Sequence, residues 1–195
     1  KKNIVVAGAH IGYIFLELID HLPEDSKIFS FEPVKYLFER SKENIEINNL
    51  GNKVFLNQIA LSDKSGTVTI YEQDIRSSIL QLKGYKKAKK ENIKAITLDD
   101  FQVKNNVVID FIFLDIEGYE LNVLKGSYNL LKNQKPDIIF EVSPKILNEI
   151  GKKEDEIYKY LSDFGYNLYL IVDNYRLVNI PNNYKKEIKL ISIGD

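Results

Sequence analysis

The chain has 195 residues, 44% hydrophobic and 11% aromatic, which is enough apolar material for a full core and excludes a disordered or collagen-like chain. Its 27 Lys and Arg offset 28 Asp and Glu to a net charge of -1, which argues against a dedicated nucleic-acid binder that must neutralise phosphates. It has no Cys, which removes disulfides, Cys–zinc sites and a thiol nucleophile and is compatible with a cytoplasmic protein.

No apolar run approaches the roughly 20 residues that span a bilayer. The chain starts at Lys1 and contains no Met, so the expectation is a single domain over residues 1–195 that forms part of a longer protein. Ile4-Val5-Val6-Ala7 is apolar on both faces and reads as a buried strand. After the turn at Gly8, residues 12–22 carry a helical apolar stripe. Residues 27–31 form a second strand, and Pro33 precedes a second helix over 34–48. A third strand spans 54–59, and 67–71 alternates like a half-exposed strand. The lysine-rich stretch 83–94 reads as a loop whose lysines are solvated or contact an acidic glycan or sugar nucleotide. Residues 107–114 are the most apolar strand, followed by a helix over 118–131 and a fifth strand over 137–142. A helix over 154–164 precedes strands at 166–172 and 187–193, joined through Pro181 without a helix. Alternating strands and helices predict a mostly parallel α/β sheet, and the helix-free closing connection predicts an antiparallel hairpin.

Chemistry gathers at the carboxyl ends of the strands, where open α/β sheets bind ligands. Gly8-Ala9-His10-Ile11-Gly12 permits a sharp turn, with N–H groups at a helix start that can meet a polar ligand. Glu32 ends the second strand, where a carboxylate can accept both hydrogen bonds of a ribose diol. Asn57 and Gln58 carry amides suited to an adenine. Asp115 and Glu117 put two carboxylates after the strongest strand. They can bind a cation, orient a hydroxyl or act as a general base, or else cap the next helix. Glu120 suits the first turn of that helix, and Glu141 ends the fifth strand near the same edge. A nicotinamide fold needs glycine where His10 stands. S-adenosylmethionine has no phosphates and tolerates the difference. The two His, at 10 and 21, are isolated and make no metal site.

The segments Gly8–Tyr13, Phe31-Glu32-Pro33, Asn44–Asn49, Ala60-Leu61-Ser62-Asp63, Ile96–Phe101 and Asp115–Glu120 occur in this order. Over roughly residues 3–142 the chain resembles the FkbM family of S-adenosylmethionine-dependent methyltransferases. That resemblance implies the Rossmann-like class I methyltransferase fold: a mostly parallel seven-stranded sheet with a C-terminal antiparallel hairpin and helices on both faces. It implies S-adenosyl-L-methionine as cofactor and O-methylation of a sugar, glycan or related small-molecule hydroxyl. Gly8, Ala9, His10 and Gly12 would line the methionine and ribose portion, with Glu32 and Pro33 at the ribose. Residues 57–60, with Asn57, Gln58 and Ala60, would flank the adenine. Asp115 would face the methyl donor; Glu117, which reaches further along the segment, is assigned to the acceptor or to capping the helix. In one departure, Val6 stands where the family has Asp, two residues before the first glycine. This opens an alternative reading as a non-catalytic, methyltransferase-like binding protein. A nucleotide-dependent oxidoreductase is disfavoured by His10 and the closing hairpin.

Overall fold

The structure is a computed structural model that describes residues 2–73, 76–80, 82, 88–172 and 176–180. It divides into two compact units, Lys1–Glu141 and Val142–Asp195. In the first unit, β1 (Asn3–Ala7), β2 (Lys27–Phe31), β3 (Val54–Asn57), β8 (Phe111–Leu114) and β9 (Asp137–Phe140) form one parallel sheet ordered β3-β2-β1-β8-β9. β1 lies at its centre, which explains why Ile4, Val5, Val6 and Ala7 are apolar without alternation: all four are buried. One face carries Ile4, Val6 and Ile28 in a cluster with Phe15 and Ile19 of α1 (Tyr13–Ile19) and Ile45 of α2 (Lys35–Ile47). On the opposite face, Phe29 and Phe31 meet Phe101 of α3 (Leu98–Asn105) edge-on, with ring centroids 5.5 and 4.9 Å apart. Helices therefore cover both faces.

A second sheet, ordered β4-β7-β5-β6, is built from β4 (Ala60–Leu61), β5 (Gly66–Gln73), β6 (Arg76–Ser78) and β7 (Lys89–Ile96). β5 and β7 pair antiparallel, and the expected loop over 83–94 is thus a strand from Lys89 onward; residues 83–87 lie outside the described residues. Lysines hid this strand because only one of its faces is apolar. Ile70 and Ile93 pack on Val34 and Leu37, while Thr67, Thr69 and Tyr71 stand opposite Lys94, Asn92 and Lys90.

The helix predicted over 118–131 is two helices, α4 (Glu120–Lys125) and α5 (Tyr128–Asn133). The break falls at Gly126, where an added Cβ would come within 2.1 Å of the Ser62 carbonyl oxygen. The close backbone approach thus needs glycine. Asp99 then fixes the start of α5, its carboxylate accepting the Asn129 and Leu130 N–H groups at 2.8 and 2.9 Å.

The second unit holds α6 (Pro144–Glu149), α7 (Asp155–Asp163) and the antiparallel pair β10 (Leu168–Val172) and β11 (Arg176–Ile180). The closing hairpin is thus present, but its second strand is 176–180. The predicted strand at 187–193 lies outside the described residues. Among the described residues five strands share the parallel sheet and the hairpin pairs as its own ladder, where seven strands in one sheet were expected. Among the described residues no helix is long and apolar enough to cross a membrane.

Candidate active site

A cavity of about 240 Å³ opens at the carboxyl edge of the parallel sheet. Three turns of that sheet meet there, at residues 8–12, 32–34 and 115–119. Ile59, Leu61, Ile70 and Ile79 supply apolar wall.

The first turn is left-handed at Gly8, His10 and Gly12, with φ of 83°, 49° and 102°. Gly8 is required by contact as well as by conformation. A Cβ there would lie 1.9 Å from the Asp115 carbonyl oxygen, so the first and third turns touch through backbone. The N–H groups of this turn are committed internally. Gly8 and Ala9 donate to the Phe31 carbonyl at 3.2 and 3.0 Å, and Gly12 donates to Ala9 at 2.7 Å. His10 donates to Glu32 Oε2 at 2.8 Å. The expectation of free donors at this helix start therefore does not hold for these four groups. α2 braces the same turn: Ser41 Oγ donates to the His10 carbonyl at 3.0 Å, and Asn44 Nδ2 to that of Ile11 at 2.7 Å.

Glu32 is 3% exposed. Its Oε2 takes the His10 N–H and its Oε1 takes the Val34 N–H at 3.0 Å, so one carboxylate ties the first turn to the second. Burial pushes its pKa up to about 7, against the pull of those two hydrogen bonds, and nearby Glu72 adds to the rise.

The third turn leaves β8 at Asp115 and is left-handed at Glu117 (φ 56°) and Gly118 (φ 89°). Asp115 and Glu117 both line the cavity. They do so through this turn and not through the extended alternation that their spacing suggests. Glu120, 4% exposed, accepts the Ile116 and Gly118 N–H groups on a single oxygen, Oε1, at 3.1 and 3.2 Å. Its pKa is likewise raised to about 7 by burial, opposed by backbone hydrogen bonds. Tyr119 anchors the turn from below, its hydroxyl 3.1 Å from Ser62 Oγ and 3.4 Å from Asp63 Oδ1.

Of the residues singled out from sequence, the structure brings Gly8, His10, Glu32, Pro33, Ala60, Asp115 and Glu117 onto one cavity. Ala9 is turned into the core with Val6 and Phe15. Gly12 sits at the start of α1, where an added Cβ would meet the Phe15 ring at 2.2 Å. Gln58 is exposed. Asn57 commits both amide hydrogens, to the Ser30 and Phe55 carbonyls at 3.2 and 2.9 Å. None of these four is on the wall. Glu141 joins the acidic edge. Its N–H donates to the Leu114 carbonyl at 3.0 Å, which sets it beside Asp115 on the neighbouring strand. Its pKa is pushed up to about 7, first by partial burial, then by the charges of Asp115 and Glu117 and a hydrogen bond with Asp115. Sequence reasoning missed Leu37, Ile70, Ser78 and Ile79. Ile70 and Ser78 come from the second sheet and Ile79 from the residue after it, and no local pattern reveals their position over the cavity. Among the described residues no group of His, Asp and Glu is arranged to hold a metal.

The sequence profile of the methyltransferase FkbM domain matches residues 7–168. The chain belongs to the FkbM methyltransferase family. Its fold is shared with the solved structure of methyltransferase FkbM from Methylobacillus flagellatus KT, at a TM-score of 0.61 and 18% identity over 84% of this chain. The chain spans 37% of the length of that protein. A putative caffeoyl-CoA O-methyltransferase from Staphylococcus aureus aligns at a TM-score of 0.47 and 15% identity, over 88% of this chain and 72% of its own. No curated protein matches the chain. The family segments now have physical roles in this chain. Asn44 braces the first turn, Ser62 and Asp63 anchor Tyr119, Thr97 caps α3 by accepting the Asp100 N–H at 3.0 Å, and Asp99 caps α5. Much of the FkbM pattern thus supports the fold around the cavity and does not line it.

Proposed function

We propose that this FkbM domain transfers a methyl group from S-adenosyl-L-methionine to a hydroxyl oxygen of a sugar, glycan or related small molecule. The observation that carries the reading is one cavity with a buried carboxylate on one side, acidic groups on the other and apolar walls between. These residues fit the cofactor. Each Glu32 oxygen receives one backbone N–H and keeps a further lone pair for a vicinal diol. Ile59, Ala60 and Ile79 offer apolar surface to a purine. Asp115, Glu117 and Glu141 gather negative charge suited to a cation.

When bound, the cofactor supplies a methyl group already activated by positive sulfur. The chain's task is to position the acceptor and manage one proton. Asp115 or Glu117 takes or orients the proton of the acceptor hydroxyl. Glu141, poised near neutrality beside Asp115, supports that role because a general base works best with a pKa near the working pH. Oxygen as the acceptor atom rests on the resemblance to the family, and the apolar surface of Ile70 and Ile79 is compatible with the carbon face of a sugar ring.

The alternative of a non-catalytic binding protein draws on Val6, which stands where the family has Asp. That residue is fully buried, clusters with Ile4, Phe15 and Ile19 and is not on the cavity wall. The test is a screen with methyl-labelled cofactor against sugars and nucleotide sugars. Label recovered on an acceptor, and lost in Asp115→Asn, supports the reading. No transfer to any hydroxyl acceptor by a protein that binds the cofactor counts against it.

A further inference from the structure

Glu120 has no part in the chemistry proposed above, yet it is the most deeply placed charge-bearing side chain of the third turn. Burying a carboxylate is costly unless hydrogen bonds compensate. An exposed Asn or Ser can close an ordinary turn at far lower cost. What Glu120 closes is not ordinary. Glu117 and Gly118 are left-handed in succession, and a non-glycine residue in that region persists only where its surroundings over-determine it. The neighbouring constraints act elsewhere on the turn. Gly8 presses on the Asp115 carbonyl, and Ser78 Oγ donates to the Glu117 carbonyl at 3.5 Å. Among the described residues Glu120 is the acceptor for the two N–H groups that flank Glu117, those of Ile116 and Gly118. Ile116 and Glu117 both line the cavity.

We infer that Glu120 is a positioning residue, whose Oε1 sets the left-handed turn that presents Asp115 and Glu117 to the bound methyl donor and its acceptor. The inference builds on the methyl-transfer reading and adds the residue that shapes its acidic wall. Its signature lies in the single acceptor atom. Both N–H groups meet Oε1, so the carbonyl oxygen of a glutamine can take both, and a carboxylate is not needed. A methionine of similar length offers no comparable acceptor.

The experiment is calorimetric titration with S-adenosylhomocysteine of the native chain, Glu120→Gln, Glu120→Met and Glu120→Asp, each at a temperature where circular dichroism shows it folded. Hydrogen exchange of the Ile116 and Gly118 amides is followed in parallel. Glu120→Gln is expected within about threefold of native affinity. Glu120→Met is expected at least tenfold weaker, with exchange accelerated at those two amides and not across the parallel sheet. If Glu120→Met does not fold, Glu120→Asp, too short to span both amides, carries the same expectation. A folded Met or Asp variant with native affinity overturns the inference. So does a folded Gln variant that loses as much as Met, because charge and not the shared acceptor would then matter. Failure of the native chain itself to bind overturns the methyl-donor reading, and the inference with it.

Discussion

Glu32 and Glu120 are both buried carboxylates, both pushed up to about 7, and both spent on backbone N–H groups at the rim of one cavity. They hold their turns differently. Glu32 uses its two oxygens separately, one for His10 and one for Val34, and so joins two turns. Glu120 uses one oxygen for two N–H groups of the same turn. The Glu120 carboxylate also takes its own N–H, but for the bonds that hold the turns the first site needs two acceptors and the second needs one. A side chain with one carbonyl oxygen and one NH₂ can therefore replace the second and not the first, where the NH₂ would face a donor.

The sharpest way to break this comparison is to bury a third carboxylate that lacks donors. Val6 is fully buried in an apolar cluster, so Val6→Asp should destabilise the fold by roughly 3–5 kcal/mol, the cost of an uncompensated buried charge. Urea denaturation measures it. A stable Val6→Asp that binds S-adenosylhomocysteine more tightly would mean that the family Asp finds a partner which this packing does not reveal. Next, Glu32→Ala leaves one buried and one part-buried N–H group without their acceptor and should cost about 2–4 kcal/mol, along with most affinity for S-adenosylhomocysteine. Its position at a strand end suggests a harmless truncation, but its burial and its two bonds predict otherwise.

The pH dependence follows from the same pair. Each folded pKa of about 7 lies above the ordinary 4.5, so the folded state binds these protons more tightly than the unfolded chain. Their contribution to stability is fully present below pH 4.5 and is lost as pH rises through 7. At about 1.4 kcal/mol per pKa unit, each group accounts for roughly 3–4 kcal/mol across that window. Urea midpoints measured from pH 4.5 to 8 should fall, and the fall should be smaller by one group's share in Glu120→Gln. The smallest effect is expected for Glu120→Gln at pH 4.5, less than about 1 kcal/mol, because the native side chain is itself protonated there and both N–H groups keep an acceptor. Glu32→Gln should cost more than that; equal costs would erase the distinction between the two sites.

These differences bear on what the sequence makes legible. The parallel sheet was readable because β1 and β8 are apolar on both faces, a pattern only a covered strand tolerates. The edge that carries Gly8, Glu32, Asp115 and Glu117 followed from that order. The second sheet was not readable, since β7 offers its apolar residues on one face only and begins among lysines. Ile70, Ser78 and Ile79 therefore stayed off the expected site. The break at Gly126 escaped because an apolar period is indifferent to the carbonyl of Ser62, distant in sequence and in contact through space. Glu120 was visible as an acid in a first helical turn, where the macrodipole explains it well enough. Its actual partners lie behind it, on a left-handed turn that no spacing announces.

The central claim is that the cavity between these turns receives a methyl donor and not a dinucleotide. Calorimetric titration of the chain with S-adenosylhomocysteine, and separately with NAD, tests it most directly. The account predicts saturable binding of one S-adenosylhomocysteine per chain, weakened at least tenfold in Glu32→Ala at a temperature where that variant is folded, and no binding of NAD. Saturable binding of NAD with none of S-adenosylhomocysteine would contradict it.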